Sequence, residues 1–167
     1  MIRLARALAL LLPAPLAGAG DAHHDTSGIR HLVARLADGS TELARLPIAD
    51  GAGWCVLWRH SVAGFEVADC YENRGGAMVL VSSRQPDFAA GLGHIPGRGV
   101  QRSDGAGGYV IEGIDEPVPG AAYVLRPGGP AVDHRVATDH ATVSISALAP
   151  RARVRLSLER PTLSTED

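Results

Sequence analysis

The sequence predicts an all-β fold, a small antiparallel β-sandwich or partly open barrel of about eight to ten short strands. Three observations carry this. Short runs rich in β-branched and aromatic residues recur along the chain, turn signals such as Asp38-Gly39, Asp104-Gly105 and Pro119-Gly120 separate them, and the two runs around Cys55 and Cys70 fit one hairpin.

With 167 residues and 46% hydrophobic content, the chain can bury one substantial core, and neither a composition break nor an internal repeat suggests a second domain. A formal charge of −2 gives no basic excess, which argues against a nucleic-acid partner. Every basic residue is arginine, so Schiff-base chemistry, a phosphate-binding loop lysine and a lysine general base are all excluded.

Residues 1–19 read as a signal peptide: Arg3 and Arg6 precede the apolar run Ala7 to Leu12, and the small residues Ala17-Gly18-Ala19 follow two prolines. No later segment approaches the ~20 apolar residues of a spanning helix, so no membrane span is expected in the mature chain. The expected location is the periplasm or the exterior. There a Cys55–Cys70 disulfide can persist. The remaining organisation reads as a flexible segment 20–30, one β domain over 31–159 and a disordered tail 160–167.

The first hairpin runs from Leu32 to Leu36, turns at Asp38-Gly39-Ser40 and returns from Glu42 to Leu46. A helix over Ile29 to Leu46 is the competitor, but Asp38-Gly39 would interrupt it. The second hairpin joins Trp54–His60 to Phe65–Tyr71 through Ser61 to Gly64. If residues whose numbers sum to 125 face each other, Cys55 meets Cys70, Leu57 meets Ala68 and Arg59 meets Glu66. A sulfur pair and a salt pair then fall in one register. That register puts Trp54, Val56, Trp58, Phe65, Val67 and Tyr71 on the core side, with His60 and Asp69 among them.

Met78 to Val81 reads as the next strand, and Arg84 to Gly108, rich in glycine and broken by prolines, as irregular chain. Later strands are expected at Tyr109–Glu112, Tyr123–Arg126, Val132–Ala137, Thr142–Ser146 and Val154–Glu159.

Candidate chemistry is sparse. His60, His94 and His134 would suit a catalytic zinc if they converged, with Asp69 or Asp133 behind them, but no recognised ligand spacing supports a metal and inward histidines are commonly core residues. Ser61 adjoins His60, yet strand neighbours point to opposite faces and no nucleophile elbow is present. The Gly91 to Gly99 loop lacks dinucleotide spacing. Its amides, with Arg98 and Arg102, could hold a small anionic ligand. No cofactor is expected.

His60-Ser61-Val62 at a strand end, the Phe88-Ala89-Ala90-Gly91-Leu92-Gly93 loop and His134 within Ala131-Val132-Asp133-His134 resemble the bacterial family DUF1850, over roughly His31 to Glu159. The resemblance implies a small exported protein, often encoded beside tripartite periplasmic transporters of the TRAP/TAXI type, and assigns no catalytic residue. The expected role is a non-enzymatic accessory or binding module of such an uptake system, with transporter components as partners. The alternative is a metal-dependent or hydrolytic periplasmic enzyme using His60, His94 and His134.

Overall fold

A computed structural model describes residues 28–62, 64–86 and 96–161. The signal segment 1–19, most of the 20–30 segment and the end of the tail lie outside the described residues. Among the described residues are β1 (Arg30–Leu36), β2 (Glu42–Ile48), β3 (Gly53–Arg59), β4 (Glu66–Arg74), β5 (Ala77–Gln85) and β6 (Val100–Ser103). There follow β7 (Tyr109–Pro117), β8 (Ala122–Leu125), β9 (Arg135–Ala137), β10 (Thr142–Ser144), the four-residue helix α1 (Ile145–Leu148) and β11 (Val154–Glu159). They form two antiparallel sheets, a four-stranded one ordered β2-β1-β11-β8 and a seven-stranded one ordered β10-β9-β3-β4-β5-β7-β6. The fold is an open β-sandwich, not a barrel.

In the smaller sheet the first hairpin forms as expected, with Leu32 opposite Leu46 and a register shift after Ala34. Leu32 and Ala34 turn inward with Val154, Leu156 and Leu158, all buried. Val33 points to the outer side, yet its exposure is 0%. Arg45 and Ser157 flank it in the ladder, and a ring of charges crosses that face. Glu42 pairs with Arg35 at 2.6 Å and Arg45 at 2.7 Å, and Glu159 approaches both arginines at 3.9 and 3.8 Å. Long arginine stems over an apolar residue are an economical cover.

Hydrogen bonds from Arg45 first and Arg35 second hold the Glu42 carboxyl down to about 2. Its pKa is depressed on folding, so its stabilisation is present above the unfolded value near 4.5 and fades as pH falls through about 2. In urea titrations, Glu42→Gln should therefore lower the midpoint at pH 7, and the difference from wild type should shrink steadily between pH 5 and pH 2. A pH-independent difference would contradict the assignment.

In the larger sheet the β3–β4 hairpin adopts the expected register throughout, from Gly53 opposite Glu72 to Arg59 opposite Glu66. Cys55 and Cys70 form a disulfide, with an S–S length of 2.05 Å and Cα atoms 4.0 Å apart. Trp54, Val56, Val67 and Tyr71 are buried on the inward side, while Trp58 and Phe65 are half-buried. The anticipated Arg59–Glu66 salt pair is replaced. Glu66 is instead bonded by Arg135 of β9, because β9 lies against β3 with Arg135 opposite Leu57, within a long side chain's reach of Glu66 across β3.

Beyond Tyr71 the β4 strand carries Asn73, fully buried, which acts as a clamp. Its Nδ2 donates to the carbonyls of Ile48 and Ala49 at 3.2 and 3.0 Å, and its Oδ1 accepts from Gly76 N at 2.9 Å. One amide thus joins the end of β2 to the β4–β5 turn. That turn is Gly75-Gly76 with φ of 60° and 92°, the left-handed pair that a two-residue hairpin requires.

Other expected boundaries move. The strand expected over Met78 to Val81, β5, runs on to Gln85, and the stretch read as irregular contains the added strand β6, paired with β7 from Val100 opposite Glu112 to Ser103 opposite Tyr109. This makes eleven strands among the described residues, one more than the upper end of the expectation. The strand expected from Val132 begins only at Arg135, because Asp133 adopts φ 46°. The strand expected to reach Ser146 stops at Ser144, whose Oγ accepts from Ala147 N at 3.2 Å and opens α1.

Candidate functional site

Local chain geometry gathers several of the singled-out residues at one end of the larger sheet. His60 N donates to Phe65 O at 2.7 Å and Gly64 N donates to His60 O at 2.9 Å, so the hairpin closes around Ser61 and Val62. Both are exposed, Val62 at 89%. The His60 Nδ1 accepts weakly from Val62 N at 3.4 Å. Beside this tip, Arg84 lies over the Phe65 ring, 4.9 Å from its centroid, and pairs with Asp104 at 3.2 Å. The Asp104 carboxylate also accepts from the backbone N–H of Ala106 and Gly108, each at 2.8 Å, which keeps its pKa below the usual range. Gly108 must be glycine: a Cβ there would sit 2.6 Å from Gln85 O and 2.8 Å from the Phe65 ring.

His134 reaches the same region from the β9 side and stacks on Trp58, with centroids 5.5 Å apart and planes 2° from parallel. Its Nδ1 accepts from Gly128 N at 3.1 Å, and its backbone N donates to Ser146 Oγ at 2.8 Å. Burial pushes its pKa down, opposed by the charge of Asp133. Because Nδ1 accepts the Gly128 N–H, the ring proton belongs on Nε2. Offering Nε2 to a metal would require moving that proton to Nδ1, against the Gly128 N–H. Asp133 is occupied too, by Arg135 at 2.8 Å and Ser144 Oγ at 2.7 Å. Among the described residues no group of three His, Cys, Asp or Glu side chains is placed to hold a metal ion. His94 lies outside the described residues.

Of the proposed anion loop, residues 91–95 lie outside the described residues, and its two arginines are ion-paired. Arg98 pairs with Glu116 at 2.7 Å and Arg102 with Glu112 at 3.1 Å, both glutamates belonging to β7. Arg98 also stands close enough to Asp69 and Tyr71 to act on their charge.

A polar track on the inward face of β4 and β5 is not evident from spacing. Ser83 Oγ donates to Asp69 Oδ1 at 2.6 Å and receives Gln85 Nε2 at 2.7 Å. Burial raises the Asp69 pKa, opposed by the Ser83 hydrogen bond and the Arg98 charge. Nearby, Tyr71 is stacked between Trp54 and Tyr123, at 5.7 and 5.6 Å between centroids. Burial lifts the Tyr123 phenol well above its ordinary value, helped by Tyr71. The two phenols influence each other without a hydrogen bond of ordinary geometry, and the Gln85 Oε1 is likewise unpartnered and buried. The signal that could have found this track is the polar alternation of Ser83 and Gln85, had the strand been carried past Val81. Chemically, it is a protonatable carboxyl beside hydrogen-bonding groups, without an adjacent nucleophile–base pair among the described residues.

Two open grooves mark the outer faces. One of about 520 Å³ runs over the disulfide and includes Leu57, Val81 and Ala137. The other, about 470 Å³, lies on the smaller sheet between Leu36, Val124 and Arg155.

These features define a class: a disulfide-linked, two-sheet antiparallel β-sandwich with solvent-open grooves on its outer faces. The model of the family described as "Domain of unknown function (DUF1850)" matches residues 55–145, and the chain belongs to that family. The matched stretch covers most of the larger sheet, from β3 to β10, together with β8. No match emerges among curated proteins or among solved structures.

Proposed function

We propose that the protein is an exported, non-enzymatic binding module that serves a tripartite periplasmic uptake system of the TRAP/TAXI type. The Cys55–Cys70 disulfide is the observation that carries this reading, since such a bond persists in oxidising compartments and is rare in the cytosol. The leader-like first nineteen residues agree with it. The commitment of His134, Asp133, Arg98 and Arg102 to internal partners favours binding over catalysis by those groups. The association with a transporter rests on the family resemblance.

The test is a fractionation of cells carrying an epitope-tagged chain, followed by crosslinking and co-purification. Recovery in the periplasmic fraction, with a mass shift on alkylation only after reduction and with transporter subunits in the crosslinked eluate, is the expected result. A cytosolic protein with both thiols free would overturn the location, and a crosslinked eluate without transporter subunits would overturn the role.

A further inference from the structure

Seven arginines are ion-paired and seven described ones are not; of the latter, Arg30, Arg59 and Arg160 lie apart from the four considered next. Arg35, Arg45, Arg74, Arg84, Arg98, Arg102 and Arg135 are all in ion pairs. Arg126, Arg151, Arg153 and Arg155 are exposed, and none of them has a carboxylate partner among the described residues. The β8–β11 ladder brings three of them, Arg126, Arg153 and Arg155, to one row. Leu125 faces Val154 and Val124 faces Arg155, so Arg126, which follows β8, continues the row beside Arg153. Arg151 N donates to Pro127 O at 2.9 Å, which keeps its backbone at the same corner, while its guanidinium lies toward Gly129.

Alternation sends Val124, Arg126, Arg153 and Arg155 to the outer face, away from the buried Val154 and Leu156. Across the next rung, Arg155 is directly opposite Arg35, a like-charge contact that disfavours the sheet. A chain of net charge −2 thus concentrates uncompensated positive charge at one corner. The groove of about 470 Å³ lies there, with Val124 exposed at 44% in its wall. Asp38 also lines it, but its carboxylate accepts from Ser40 N at 2.9 Å and forms no ion pair with these arginines.

We infer that this groove docks an acidic, extended segment of a partner protein. Guanidinium forks match carboxylates in pairs, and arginine is enriched in protein-binding patches. A single small anion would engage one or two of the forks and leave Val124 uncovered. The two forks of Arg153 and Arg155 in the groove wall, with Arg126 following β8 beside Arg153, fit several acidic side chains on one chain. The inference rests on the binding-module reading above and names the chemistry of its partner.

The test uses the full mature protein and a fluorescein-labelled, glutamate-rich decapeptide, followed by anisotropy at low and raised NaCl. Wild type should bind, more weakly as salt screens the contact. Arg153→Glu with Arg155→Glu should weaken binding by about tenfold or more, whereas Arg59→Glu with Arg160→Glu, an equal charge change elsewhere, should stay within about twofold. No binding by wild type, or equal weakening in both pairs, would overturn the inference. So would displacement by millimolar inorganic phosphate, which means a small-ion site, or binding to phosphatidylglycerol vesicles in place of the peptide, which means a membrane surface. If transporter subunits co-purify with both wild type and Arg153→Glu/Arg155→Glu, the module reading stands and the groove is not its contact.

Discussion

Trp54→Ala is expected to lower the unfolding free energy by about 3–5 kcal/mol, the range for deleting a buried indole. Trp54 is 2% exposed and forms one end of the aromatic stack that continues through Tyr71 to Tyr123. Removing it takes apolar area out of the interior and also strips one face of Tyr71, so the larger sheet loses part of its hold on β8. Small domains are stable by only about 5–15 kcal/mol, which makes this a large fraction of the total. Trp54→Phe should cost far less. It keeps most of the ring and discards the indole Nε1–H, which has no acceptor among the described residues. Urea unfolding of the three proteins separates the cases, and a Trp54→Phe loss as large as that of Trp54→Ala would reject this account.

Removing the disulfide by Cys55→Ser with Cys70→Ser should cost about 3 kcal/mol, the loop-closure term for a separation near fifteen residues. The fold should survive. The β3–β4 ladder runs unbroken from Gly53 to Arg59 and is extended by the His60–Phe65 bond, so the hairpin retains its register without the sulfur link. The same loss should appear when wild type is unfolded in the presence of a reductant. A double variant that unfolds at the same urea concentration as oxidised wild type would show that the bond contributes nothing.

The β3–β4 hairpin was legible because its evidence was local. A four-residue connection limits the offsets, and Cys55 with Cys70 selects one of them. The β1–β2 hairpin was legible for the same reason, with Asp38-Gly39-Ser40 marking the turn. What misled was charge. Arg59 and Glu66 are directly opposite, yet Glu66 takes Arg135 from a strand about seventy residues away, because a long guanidinium stem can cross a strand when the neighbour is placed there. The histidines misled similarly. His134 looked like an inward strand residue between two valines, but Asp133 takes a left-handed conformation and His134 becomes a loop residue stacked on Trp58.

The pairing of the arginines was not legible. Arginines near a glycine-rich loop drew attention to Arg98 and Arg102, and composition could not tell that β7 would present Glu116 and Glu112 to them. Nor could the plain alternation of Val154 to Glu159 show that Arg153 and Arg155 would lie beside Arg126 and form no ion pair among the described residues.

By itself the sequence determined the all-β class, the two local hairpins, the disulfide and the register that places it. These depend on residues close along the chain, where turn geometry and alternation leave few choices. Only the tertiary structure decided that β11 inserts between β1 and β8, that β9 flanks β3, and which arginines find acids. Those pairings join segments far apart in the chain, so their partners are set by which faces must bury one another and not by any local pattern.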